Sequence, residues 1–131
     1  MSITLVTQNQ ETPNEIEKLD VMPMTLFAAY LKEREGVNLL ETDKGFAIYV
    51  ITGNECYIRD IYVKPEFRKE KVASHLADLI CEKAREAGCK VLTGSVCPTT
   101  KGSTASLQVL LGYGMRLHSA TANLIIFIKD L

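Results

Sequence analysis

Apolar and polar positions along this chain switch between a two-residue and a three-to-four-residue period, and each switch marks an element. Ile3 to Val6 is a short aliphatic and β-branched run that predicts a first strand. Thr12-Pro13-Asn14-Glu15 reads as a helix start, in which Thr12 caps, Pro13 presets φ and Glu15 reaches back. Pro23 ends that helix, and a second resumes near Met24, with Phe27, Tyr30 and Leu31 at helical spacing and Gly36 as a left-handed stop. Three strands follow over Val37 to Thr42, Phe46 to Thr52 and Glu55 to Val63. The turns between them, Asp43-Lys44-Gly45 and Gly53-Asn54, predict antiparallel neighbours. Phe67 to Ala87 predicts a long helix whose stripe is Val72, Leu76, Leu79 and Ile80, closed by Gly88. A strand over Val91 to Val96, a helix over Ser103 to Leu111 and a final strand over Leu124 to Lys129, paired with Met115 to His118, complete the chain.

The resulting order is β-α-α-β-β-β-α-β-α-β-β, with no linker or repeat to divide it. It predicts one α/β (α+β) domain over residues 1–131, a mixed central sheet of six or seven strands with helices on both faces. The strand ending at Val63, the long helix and the strand at Val91 form a right-handed crossover, so those two strands should run parallel. Ligands of such sheets tend to bind beside the carboxyl end of a strand where neighbouring connections diverge.

Charge narrows the functions. The 131 residues carry 15 basic and 16 acidic side chains, a net charge of −1. That balance argues against a nucleic-acid binder that works by displacing phosphate counterions. The longest apolar runs, Leu124 to Ile128 and Phe46 to Ile51, fall far short of the roughly 20 residues of a membrane span. Ser2 to Gln10 lacks the basic start and apolar stretch of a signal peptide, so a cytoplasmic protein is expected. Cys56, Cys81, Cys89 and Cys97 form no CxxC pair. They indicate no metal site and read as small apolar residues in a reducing compartment. The apolar run at Leu124 to Ile128 reads as a sheet edge in need of cover, so a homodimer through the C-terminal strands is expected.

The chemistry concentrates in Ile58 to Ser74, where a strand passes through a proline turn into a basic segment that opens a helix. Free amides at a helix start and the positive end of its dipole form an anion site, and Arg68, Lys69 and Lys71 add mobile charge. A pyrophosphate suits such a site; a solvated helix start is the plainer alternative.

Here the chain resembles the GNAT family of acyl-coenzyme A N-acyltransferases, over nearly its whole length. The family's Q/R-x-x-G-x-G/A signature after a "V-x-P" turn maps onto Arg68-Lys69-Glu70-Lys71-Val72-Ala73, preceded by Val63-Lys64-Pro65. The resemblance implies acetyl-coenzyme A as acyl donor and an amine of a small molecule or protein as acceptor. It places the pyrophosphate at Arg68, Lys69, Lys71, Val72, Ala73 and Ser74, and the pantetheine arm along Ile61, Tyr62 and Val63. Lys71 stands where the signature has its central glycine. If that position needs a left-handed backbone, coenzyme binding should suffer; in an ordinary conformation, the Lys71 amide and ammonium can both meet a phosphate. The family's C-terminal helix motif aligns in two registers. Closing on Gly114-Met115 puts Ser103 at its asparagine, a further coenzyme contact, and Leu110 at its tyrosine, whereas closing on Gly112-Tyr113 puts Gln108 there. In both registers the tyrosine that protonates the leaving thiolate in many members is missing, and Tyr113 lies beyond it.

Direct attack of an amine on the thioester needs a base, an oxyanion donor and a proton for the thiolate. A backbone amide around Ile61 to Val63 can serve the oxyanion. Glu55, Tyr57 and Asp60 on the same strand are candidate bases, with Tyr57 and Asp60 favoured. Strand alternation puts Asp60 on the face opposite Tyr57 unless a bulge intervenes, and puts Arg59 on Tyr57's face. His75, in the first turn of the long helix, is expected to be a neutral exposed ring. Lys71 and the missing tyrosine also fit a second reading, a binding or regulatory module that keeps the fold without efficient chemistry.

Overall fold

The computed structural model describes residues 20–131. The strand expected at Ile3 to Val6 and the helix start at Thr12 lie outside the described residues. Helix α1 (Leu26–Glu35) starts where the Thr25 hydroxyl accepts the Ala28 amide at 3.1 Å. It stops at Gly36, whose φ of 69° turns its amide back onto the Lys32 carbonyl. Ala28 and Leu31 are its buried positions, whereas Phe27 and Tyr30, which share the helical spacing with Leu31, are exposed and stack on each other.

Strands β1 (Asn38–Glu41), β2 (Gly45–Thr52) and β3 (Glu55–Val63) form the antiparallel meander that the two turns predict. At Gly45 a Cβ would collide with the Tyr62 carbonyl oxygen, so the first turn admits only glycine there. A single 3₁₀ turn (Pro65–Phe67) leads to helix α2 (Val72–Glu86). The long helix therefore begins with its apolar stripe at Val72, five residues after the start expected at Phe67, because Lys69 and Lys71 take φ of 68° and 65° and break helical geometry before it. Strand β4 (Val91–Val96), helix α3 (Ser103–Gly112) and strands β5 (Arg116–Ala120) and β6 (Ile125–Asp130) follow.

The strands lie in the order β1-β2-β3-β4-β6-β5, all antiparallel except the β3/β4 pair that α2 connects. One face packs through Ala47, Cys56, Ile58, Leu92 and Phe127 onto Leu76, Ile80 and Ala84 of α2 and Leu110 of α3. Each such fully buried aliphatic side chain contributes roughly 1.5–3 kcal/mol. The other face meets α1 through Ile48, Val37 and Leu31. The apolar run near the C-terminus is not an edge: β6 lies between β4 and β5, and among the described strands β1 and the wholly exposed β5 end the sheet. No helix among the described residues is long and apolar enough to cross a membrane.

Candidate functional site

The β3/β4 ladder runs from Glu55↔Val91 to Ile58↔Gly94 and ends there. The cause lies one residue further along β3. On the β2 side, Ile48 registers with Asp60 and Tyr49 with Ile58, so Arg59 is an extra residue with no partner. Such a bulge bends its strand and increases the local twist, which carries residues 60–63 away from β4. The two parallel strands thus form a fork, with Ser95 and Val96 on one prong and Asp60 to Val63 on the other.

The bulge also changes the face of every later residue on β3. Cys56 and Ile58 pack in the α2 core, and so do Ile61 and Val63, three rather than two positions on from Ile58. Asp60 and Tyr62 therefore share the face of Tyr57, which corrects the assignment from simple alternation. Tyr62 stacks on Phe46 across that face at 5.6 Å between ring centroids. Arg59 is anchored at the bulge by Glu35 of α1 at 2.6 Å, with Asp60 at 3.5 Å.

A polar row crosses the base of the fork. The Thr93 hydroxyl donates to Glu55 Oε2 at 2.7 Å, and Tyr57 Oη lies 2.6 Å from Ser95 Oγ. Glu55 is thereby engaged by its neighbour, while Asp60 is exposed and paired only loosely with Arg59. Ser95 was not singled out from the sequence. Its signal is the pattern Val91-Leu92-Thr93-Gly94-Ser95-Val96, where two hydroxyls alternate with apolar residues and so share Tyr57's face.

Beyond the open prong of β3 comes the cationic loop. Arg68 Nε donates to the Val63 carbonyl at 2.9 Å, and its guanidinium lies 5.6 Å from the Tyr62 ring centroid, which holds it beside the strand. Lys71, at φ 65° and ψ 20°, occupies the N-cap position of α2 in the left-handed region, and no side chain caps that helix. The signature's glycine position is left-handed here and the lysine adopts that conformation, so the expected impairment of coenzyme binding is replaced by backbone strain at Lys71, and the path of the loop is kept. Val72 is buried, Ala73 and Ser74 are half-buried in the first turn, and exposed Lys69 and Lys71 stand in the loop just before them. His75, expected to be exposed, is half-buried one residue further on.

On α3, the Ser103 hydroxyl donates to the Pro98 carbonyl at 3.0 Å. Leu110 is buried, with its Cδ2 3.4 Å from where a Cβ on Gly94 would stand, so the motif's tyrosine position is filled by core packing. Gln108, at that position in the other register, is exposed. Tyr113 faces away from the fork: its hydroxyl donates to Asp78 Oδ1 at 2.6 Å and meets Cys81 Sγ at 3.4 Å, beside a cavity of about 500 Å³ against α2. Burial first, then these two partners, hold its phenol well above the usual range.

The acetyltransferase (GNAT) family model matches residues 8–113, and the chain belongs to that family. No curated protein sequence matches the chain. Among solved structures it is similar to a Bacillus subtilis acetyltransferase in complex with CoA, at 17% identity and TM-score 0.63, covering 94% of this chain and 95% of that one. The PaiA N-acetyltransferase of Thermoplasma acidophilum, solved with coenzyme A, matches at 15% identity and TM-score 0.66 over 77% of this chain and 66% of that one. The IAA acetyltransferase of Bacillus cereus matches at 13% and TM-score 0.66 over 87% and 99%. At these identities the likeness is one of fold.

Proposed function

We propose that the chain is an N-acetyltransferase that moves the acetyl group of acetyl-coenzyme A to an amine by direct attack. The observation that carries this reading is the fork, opened by the bulge at Arg59 beside the uncapped, lysine-flanked start of α2, in a chain of the acetyltransferase family. Coenzyme A in the solved Bacillus subtilis and Thermoplasma acidophilum proteins supports it.

In this reading, the amides of Val72, Ala73 and Ser74 and the side chains of Arg68, Lys69 and Lys71 hold the pyrophosphate. Ile61, Tyr62 and Val63 line the pantetheine arm with an unpaired strand edge, and Ser103 on α3 closes the far side. A backbone amide of that edge donates to the oxyanion as the thioester carbonyl becomes tetrahedral. Asp60, exposed on the acceptor side, takes the amine's proton, and Tyr57 supplies one to the sulfur. Neither role needs a metal. The thiols of Cys56, Cys81, Cys89 and Cys97 are all free, which fits a cytoplasmic home. Self-association is proposed through β5, the exposed edge strand, and light scattering at high concentration tests it: a monomer there refutes it.

A second reading, a module that binds coenzyme without efficient chemistry, draws on the buried Leu110 at the missing tyrosine. Thermal melting with acetyl-coenzyme A, followed by an assay on a panel of amines, separates the two. A ligand at 100 times its dissociation constant adds about 2.7 kcal/mol of stability. Stabilisation with acetyl transfer supports the enzyme, stabilisation alone supports the module, and no stabilisation at millimolar coenzyme sinks both.

A further inference from the structure

Amide formation from a thioester leaves a thiolate, and Leu110 offers it no proton. Two hydroxyls on Tyr57's face of the fork, those of Tyr57 and Ser95, meet each other directly. Tyr57 registers with Thr93 across the ladder, yet its phenol reaches forward past that pair to meet Ser95 at 2.6 Å. Thr93 is already committed to Glu55. Ser95 is the first residue of β4 beyond the last rung of the ladder, so the pair sits at the point where the prongs separate. A hydroxyl both donates and accepts, so this 2.6 Å contact can pass a proton in either direction.

We propose that Ser95 acts through Tyr57 as the residue that positions and re-protonates its phenol, a role that rests on the transferase reading above. The amine nitrogen bonds to the thioester carbonyl carbon, whose π electrons move onto oxygen; as the carbonyl re-forms, the C–S bond breaks and its electron pair leaves on sulfur. The amine's proton passes to the Asp60 carboxylate while the sulfur takes the phenolic proton of Tyr57. The Ser95 hydroxyl then donates to the phenolate and recovers a proton from water, to which Asp60 returns its own. Amine and thioester become amide and thiol, with every protein group restored.

The test compares Ser95→Ala, Tyr57→Phe and the double variant in steady-state acetyl transfer, with Ser95→Thr as the conservative control. Each single loss should lower kcat about 100-fold or more, within the roughly 100- to 10,000-fold range of one general acid, with KM for acetyl-coenzyme A within about threefold. The double variant should fall within about threefold of the worse single one, because groups acting as a unit are not additive. Ser95→Thr should recover most of the activity. Solvent deuterium isotope effects should be larger in the unaltered protein than in Ser95→Ala, a difference that a purely structural bond does not produce. Multiplicative losses in the double variant, or Ser95→Ala at the unaltered rate, overturn the relay alone. No transfer by the unaltered protein to any amine overturns the transferase reading and the relay together. Melting shifts with acetyl-coenzyme A, retained by all four variants, establish that a lost rate is not a lost fold.

Discussion

Two helices of this chain begin in opposite ways. At α1 the Thr25 hydroxyl accepts the Ala28 amide, and the helix start is closed by its own side chain. At α2 no side chain caps, and the two residues that steer the backbone into the helix, Lys69 and Lys71, both hold left-handed conformations that lysine disfavours by roughly 1–2 kcal/mol each. One start is satisfied internally and contributes to stability. The other is left open at a stability cost, which is the arrangement expected where an external anion completes the structure.

That contrast can be broken most severely by charge. Reversing both lysines, Lys69→Glu with Lys71→Glu, should remove the melting shift given by acetyl-coenzyme A and weaken binding at least about 100-fold, from two repulsive contacts replacing two attractive ones. The apo protein should melt close to the unaltered one, as both side chains are exposed. Thr25→Ala is the mirror experiment. Urea denaturation should show a loss of about 1 kcal/mol, with coenzyme affinity unchanged. A changed affinity there would mean that the two helix starts are coupled. Lys71→Gly is subtler: relief of the left-handed strain, less the extra freedom of glycine when unfolded, should stabilise the apo protein by about 0.5–1 kcal/mol. The same change should weaken coenzyme binding if the ammonium meets a phosphate, whereas tighter binding would assign that position to the backbone alone.

The smallest effect concerns two thiols rather than two helices. Cys97, half-buried just past the open prong of β4, is drawn down to about 7 by hydrogen bonds from Thr100 and Thr99, while burial pushes Cys56 up to about 12. A thiol whose pKa is lowered is already thiolate above that value. Iodoacetamide labelling of Cys97 should therefore climb through about pH 7 and level off by pH 8, while Cys56 reacts only on unfolding. Mass spectrometry of partly labelled protein distinguishes the two, and equal labelling at pH 7 contradicts the contrast.

Much of this architecture was legible in the pattern of residues, and the exceptions have physical reasons. The limits of β3 and β4 agree with the structure because Gly53-Asn54, Pro65, Gly88 and Pro98 mark their ends chemically. The start of α2 was misplaced because Arg68, Lys69, Glu70 and Lys71 are all good helix formers, and only the tertiary context forces two of them to positive φ. Phe27 and Tyr30 fit the helical period yet are exposed on the described chain. The edge strand was misassigned because apolar content says how deeply a strand is buried but not in which order strands pair. The family motif marked the loop, but it carried no sign of Ser95, whose relation to Tyr57 exists only because β3 and β4 run parallel in that register. The bulge at Arg59 left no trace either, as neither glycine nor proline accompanies it.

That single unpaired residue has a consequence for how the chain tolerates length changes. β3 behaves as two half-strands joined out of phase, and Arg59 is the phase shift between them. Pair it regularly, without the bulge, and the downstream half rotates by one position: Ile61 and Val63 leave the core for Tyr57's side, and Asp60 and Tyr62 turn inward against α2. Insertions and deletions upstream and downstream of residue 59 are therefore not equivalent to one at it. The bulge between Ile58 and Ile61 therefore fixes which side chains of the downstream half face α2.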